Sequence, residues 1–169
     1  MKRLLVVVDM QNDFLTGALK NEAACEILPA VKAEISKSRG AGIDVVFTRD
    51  THGANYAHTQ EGRNLPVVHC VKDTWGWKIA DGLHTDERIF DKPTFGSVEL
   101  AKFVREQGYD AVRIVGVCTD ICVLSNAFLI KAYCPETVVE VCSDLCAGVT
   151  MESHRTALAA MAGCQIKIV

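Results

Sequence analysis

Short runs of almost unbroken apolar, often β-branched residues recur along the chain, separated by longer stretches with helical spacing, and this alternation constrains the fold more than any other feature. The strand candidates are Leu4–Val8, Ile43–Thr48, Arg88–Phe90, Ala111–Val117, Thr137–Cys142 and Gln165–Val169. A strand with one wet face alternates apolar and polar residues, whereas a nearly continuous Val/Ile/Leu run predicts burial on both faces, as in parallel sheets. Between these runs the spacing turns helical. Ile27, Val31 and Ile35 recur every four residues, and that helix is predicted to stop near Gly40 and Gly42. Ser97 is a candidate N-cap for a helix burying Leu100, Phe103 and Val104, with Gly108 just past its end. A third helix is predicted from Thr119 through Tyr133, closed by Pro135, and a fourth is capped by Thr150 and ends at Gly163. Strand–helix alternation of this kind predicts an α/β fold, a three-layer sandwich around a parallel sheet.

The chain has 169 residues without internal repeat, low-complexity segment or linker, so residues 1–169 are expected to form one domain. An apolar content of 49% argues against disorder, and a net charge of −3 gives no footprint for nucleic acid. No apolar run approaches a membrane span. The opening Met-Lys-Arg leads into five apolar residues and then Asp9, too short for a signal peptide, so a cytoplasmic protein is expected. Eight cysteines fit that expectation as reduced thiols. The pairs Cys118/Cys122 and Cys142/Cys146 raise the alternative of a four-cysteine zinc site. Both follow strand-like runs rather than sitting in the loops that such sites favour.

The long irregular stretch from Asp50 to Glu87 holds four of the 5 histidines, and loops of that length are usually functional. Open α/β sheets place their sites at the C-terminal ends of strands. Asp9 follows the first strand, Asp50 the second, Lys92 the third, and Cys118 to Cys122 the fourth, so an acid, a metal-type cluster, a cation and a thiol are expected at one edge. Cys122, in the first turn of a helix and near Lys92, is expected to be favoured as a thiolate. Asp9 is positioned to move its proton, and the N–H groups of Cys118 and Cys122 to hold an oxyanion. Taken singly, each has a plainer reading: a core cysteine, a turn aspartate, a solvated lysine. Asp50, His52 and His69 offer one carboxylate and two imidazoles, a set suited to zinc, iron or manganese, with His58 and Glu61 both near enough to add a fourth ligand. The plainer reading here is a group of surface loop histidines.

These residues also carry a resemblance. Asp9-Met10-Gln11-Asn12-Asp13-Phe14 resembles the opening motif of the isochorismatase-like cysteine hydrolases, and Gly116-Val117-Cys118-Thr119-Asp120-Ile121-Cys122-Val123 resembles their nucleophile motif, with Cys122 at the nucleophile position. Lys92, within Asp91-Lys92-Pro93-Thr94, falls where the family has its catalytic lysine. Asp50-Thr51-His52 with His69-Cys70 resembles the metal site of the nicotinamidase-type members. The resemblance implies a six-stranded, mainly parallel sheet, a cis peptide between Val117 and Cys118, and a catalytic set of Asp9, Lys92 and Cys122. It also implies one divalent ion, zinc first and iron or manganese next, on Asp50, His52 and His69, with Glu61 preferred to His58. The activity implied is hydrolysis of nicotinamide to nicotinate and ammonia through a thioester on Cys122. Phe14 and Phe95 are the implied substrate walls, and a homo-oligomer acting on a small molecule is implied, with no nucleic-acid or membrane partner. One departure stands out: the segment before His69 reads Asn64-Leu65-Pro66-Val67-Val68, without the aromatic that nicotinamidases often have there. Trp75 and Trp77 lie downstream as possible substitutes or as core. The alternatives are a cysteine hydrolase of another small amide, ureido or carbamoyl compound, and a metal-binding or thiol-redox protein without hydrolase activity.

Overall fold

The computed structural model describes residues 1–169. Strands β1 (Arg3–Val8), β2 (Asp44–Asp50), β3 (Ile89–Lys92), β4 (Ala111–Val117), β5 (Val138–Ala147) and β6 (Lys167–Ile168) form one sheet in the order β3-β2-β1-β4-β5-β6, and every neighbouring pair is parallel. The helices are α1 (Asn12–Leu15), α2 (Glu22–Gly40), α3 (Gln60–Asn64), α4 (Val98–Gln107), α5 (Leu124–Tyr133) and α6 (Met151–Gly163). The expected sandwich is present, and its two faces can be read from strand parity. Leu5, Val7, Val45 and Phe47 pack with Ala24, Val31 and Ile35 of α2, while Leu4, Val6, Val8 and Ile114 pack with α4, α5 and α6. Successive side chains point to opposite faces, so the continuous apolar runs exist because both faces are covered.

Caps mark the helix ends where the sequence placed them. Ser97 Oγ accepts from Leu100 N–H at 3.1 Å, Gly108 closes α4 at φ +64°, and Thr150 forms a capping box with Ser153. Beyond shifts of one or two residues in β1, β2 and β3, three differences from expectation stand out. The β5 strand runs on to Ala147, because its register on β4 skips from Val141 opposite Ile114 to Cys146 opposite Gly116. The last strand is shorter than predicted, since the chain turns out of α6 through Gln165 in a left-handed conformation. The helix expected from Thr119 begins as a π turn, Thr119–Val123, before α5 takes over.

The strand order reverses at the central pair: β1 leads outward to β2 and β3, and β4 leads outward to β5 and β6. Such a switch point opens a crevice at the carboxyl ends of the strands. Gly116 lets β4 approach β1 there. It adopts φ +116°, and a Cβ at this position would lie 2.1 Å from Val8 O.

Candidate active site

Strand geometry delivers the polar side chains to this crevice. Asp9 leaves β1 in a left-handed conformation, φ +48°, and is 0% exposed. Asp50 and Lys92 end adjacent strands in register, so they are direct neighbours. Lys92 is 1% exposed. Its Nζ lies 2.6 Å from Asp9 Oδ2, 3.4 Å from Asp50 Oδ1 and 3.4 Å from Cys122 Sγ, and it donates to Thr94 O at 3.2 Å. Burial works against this ammonium, but Asp9, Cys122 and Asp50 hold it above an ordinary lysine. Asp9 Oδ1 accepts from Thr48 Oγ1 at 2.7 Å, whereas Oδ2 has no partner beyond its ion pair with Lys92. Burial pushes the Asp9 carboxyl up, against the pull of Lys92.

Cys122 is buried in the π turn rather than in the first turn of an α-helix. The expectation of a favoured thiolate does not hold. Burial pushes its thiol well above an ordinary cysteine, Asp9 adds to the effect, and Lys92 only partly counters it. Burial therefore favours the thiol over the thiolate at Cys122, with the Asp9 carboxyl beside it. The turn leaves donors free around it. Cys118 O accepts from Ile121 and Val123 N–H at 3.1 Å each, not from Cys122, and the Cys118 N–H has no acceptor within the protein. The peptide between Val117 and Cys118 is cis, as implied.

A second cluster adjoins the first. Asp50, His52, Glu61 and His69 each offer a ligand atom, all within 4.8 Å of one another. His52 Nε2 lies 3.0 Å from Asp50 Oδ2 and 3.6 Å from Glu61 Oε1, and His69 Nε2 lies 3.5 Å and 4.0 Å from the same oxygens. Nitrogen and oxygen ligands about 2.0–2.2 Å from zinc stand roughly 3.3 Å apart in a tetrahedron, so this donor set fits a divalent ion. His69 Nδ1 faces Val67 O at 2.7 Å, which as a donor fixes the tautomer and leaves Nε2 free to ligate. Glu61 belongs to this cluster, while His58 is exposed and outside it. Burial disfavours charge on Asp50, but its close contacts with His52 and His69, with Lys92 beside it, outweigh that and hold the carboxyl well below its usual range.

Both clusters open into a cleft of about 880 Å³ whose lining includes Phe14, Leu65, Phe95, Ile121, Val149 and Cys122. Phe14 and Phe95 are thus both at the cleft. Trp75 and Trp77 are not: Trp75 is exposed, and Trp77 is packed under Arg49 with its Nε1 donating to Thr51 Oγ1. Leu65 occupies the wall instead. His154, away from the cleft, pairs through Nδ1 with Thr119 Oγ1 at 2.8 Å. Cys70, Cys142 and Cys146 are buried, and all eight cysteines are free.

Several supporting residues have no role readable from the sequence. Thr48 looks like any β-branched strand residue. Gln11, fully buried, binds Asp50 from both sides, its Nε2 donating to Asp50 O at 2.9 Å and its Oε1 accepting from Asp50 N–H at 2.7 Å. Tyr56 packs its ring against both His52 and His69. Asn126 donates to Cys122 O at 2.8 Å and accepts from Ser97 N–H at 2.9 Å, tying the π turn to the loop after Lys92.

Comparison with known proteins gives a consistent set of relatives. The Isochorismatase domain family model matches residues 3–169. The chain is 28% identical over 185 residues to a nicotinamidase/pyrazinamidase of Mycobacterium tuberculosis, covering 99% of this chain and 98% of that one. It is 30% identical over 171 residues to a "Probable inactive nicotinamidase" of Arabidopsis thaliana, covering 89% and 83%. A pyrazinamidase of Pyrococcus horikoshii, solved in complex with zinc, superposes with a TM-score of 0.89 at 33% identity, covering 100% of this chain and 99% of that one.

Proposed function

The chain belongs to the isochorismatase family, and we propose that within it the protein is a metal-assisted cysteine amidohydrolase that converts nicotinamide and water to nicotinate and ammonia. One observation carries this reading: the Lys92 ammonium touches the Asp9 carboxylate and the Cys122 sulfur at once, in a cleft that also holds a four-ligand cluster.

The chemistry follows from where protons can go. Cys122 is protonated at rest, so Asp9 takes the thiol proton as sulfur attacks the carboxamide carbon. Lys92 stays charged throughout and offsets the negative charge as it passes from Asp9 to sulfur. The N–H groups of Cys118 and Cys122 receive the tetrahedral oxyanion. Collapse breaks the C–N bond, Asp9 returns its proton to the leaving nitrogen, and ammonia departs from a thioester. Asp9 then removes a proton from water as it attacks the thioester, and the carboxylic product leaves as the Cys122 thiol is restored. A divalent ion on Asp50, His52, Glu61 and His69, zinc in our reading, would supply a Lewis-acid anchor for the pyridine nitrogen. The zinc-complexed archaeal relative and the donor set support that choice. Phe14 and Phe95 are assigned to the ring.

A second reading keeps the chemistry and changes the substrate. Leu65, Ile121 and Val149 give the cleft an aliphatic side. This side suits another small amide, ureido or carbamoyl compound. The remaining parts of the proposal are a homo-oligomer and a cytoplasmic location, the latter supported by eight free cysteines. No helix is long and apolar enough to cross a membrane.

The test is ammonia release from nicotinamide and a panel of aliphatic, aromatic and ureido amides, before and after chelation and in Cys122→Ala. Nicotinamide turnover lost in both conditions is expected. Turnover of a different amide alone would favour the second reading, and no turnover of any amide by the zinc-loaded protein would overturn both.

A further inference from the structure

Asp13 belongs to the opening sequence motif, yet the chemistry above gives it no task. Its carboxylate is buried, 9% exposed, and no lysine, arginine or histidine pairs with it. Two backbone donors face it instead, from two separate segments of the chain. Oδ2 accepts from Cys70 N–H at 2.7 Å, directly after His69. Oδ1 accepts from Ala18 N–H at 3.0 Å, in the Gly17–Ala23 wall. The main chain repeats the pattern. Asp13 N–H donates to Gly76 O at 3.0 Å, and Asp13 O accepts from Leu19 N–H at 2.9 Å.

The surroundings are built to receive this group. A Cβ on Gly76 would lie 2.1 Å from Asp13 Oδ2, and a Cβ on Gly17 would lie 2.3 Å from Asp13 Oδ1, so each loop presents a glycine to the carboxylate. Cys70 adopts φ +45°, a conformation that non-glycine residues seldom hold without a specific tether. The bond from its N–H to Asp13 is that tether, and it fixes the backbone from which the His69 imidazole projects.

We infer that Asp13 is a positioning residue that ties the segment carrying His69 to the Gly17–Ala23 segment lining the cleft, with one carboxylate oxygen holding each. The charge serves two N–H donors at once, which an asparagine cannot do, because its amide nitrogen accepts nothing. The inference rests on the proposal that Asp50, His52, Glu61 and His69 hold a divalent ion, and it extends that site to a residue that touches neither ion nor substrate.

The test uses the full chain with Co²⁺ and Zn²⁺ as probes, and amide hydrogen exchange on the metal-free protein. Residues that orient metal ligands typically change metal affinity about 10–100-fold when removed. Asp13→Ala is expected to weaken Zn²⁺ by that factor in chelator competition, to alter the visible spectrum of bound Co²⁺, and to raise KM. Gly76→Ala, which crowds the carboxylate from the other side, is expected to reproduce the metal defect with Asp13 still present. Without metal, the Cys70 and Ala18 amides should exchange at least about tenfold faster in Asp13→Asn at one of the two positions and in Asp13→Ala at both, while β1 amides keep their protection. Unchanged exchange at both amides, or unchanged Zn²⁺ affinity in Asp13→Ala and Gly76→Ala, overturns the inference. If the wild-type chain binds neither ion, the metal proposal fails, and the exchange result still decides whether Asp13 ties the two segments.

Discussion

Replacing Lys92 by methionine isolates the charge balance of the site. The ammonium lies 2.6 Å from one buried carboxylate and 3.4 Å from another. At an effective dielectric of about 20, these separations correspond to attractions of roughly 6 and 5 kcal/mol. Desolvation of the ammonium takes back several kcal/mol, and breaking a buried ion pair costs about 3–5 kcal/mol net. At roughly 2–4 °C per kcal/mol for a chain of this size, Tm should fall by about 6–20 °C. The loss should depend on pH. Asp9 is already pushed up by burial, and without Lys92 it keeps only the Thr48 hydrogen bond against burial and the charge of Asp50. A carboxyl whose folded pKa is raised binds more protons folded than unfolded, so stability falls as pH rises from its unfolded pKa to its folded one. Lys92→Met should therefore be less deficient at pH 5.5 than at pH 8. Adding Asp9→Asn removes the orphaned charge, and the double variant should recover more than half of the lost stability while both variants release no ammonia. Thermal and urea denaturation at the two pH values read all of this in the chelated protein. A single variant within about 2 °C of wild type at pH 8, or a double variant showing the plain sum of the single losses, would refute the reasoning.

Other expectations follow from single contacts. Thr48→Val preserves shape and removes the hydroxyl that donates to Asp9; a hydrogen bond to a charged group is worth about 1.5–3 kcal/mol, and kcat in the ammonia assay should fall roughly tenfold or more with KM little changed. Gly116→Ala forces a methyl onto Val8 O in a left-handed backbone, and the combined strain of about 2–5 kcal/mol should appear in urea denaturation. Glu87 lies far from the cleft; burial opposes its charge, but the Thr85 N–H, its own N–H and Arg39 together hold its carboxyl down to about 2 against an ordinary 4.5. Its depressed pKa contributes stability above its unfolded value that is lost as pH falls toward the folded one, so Glu87→Gln should flatten the acid limb of the stability profile between those values.

How far the site was legible in the sequence depended on how unusual each residue had to be. Asp9, Lys92 and Cys122 stand out because a carboxylate, an ammonium and a thiol directly after buried strands are costly unless paired, and parallel-sheet topology then dictates which edge they share. Asp50, His52 and His69 were legible for the same reason, since ligands must be particular atom types. Thr48, Gln11 and Asn126 were not. Each acts through one or two hydrogen bonds that any small polar residue could make elsewhere, and only the register of β1 against β2, or of the π turn against the loop after Lys92, gives those bonds a purpose. The π turn itself hid inside a good helical pattern, because periodicity reports which face is apolar and not which N–H groups are left unpaired. The acidity of Cys122 is the same case: a nearby lysine and a helix start favour a thiolate, while full burial beside Asp9 pushes the thiol up. Residue identity thus announces the groups that react, while the groups that orient them become visible only when distance and burial show what each one holds.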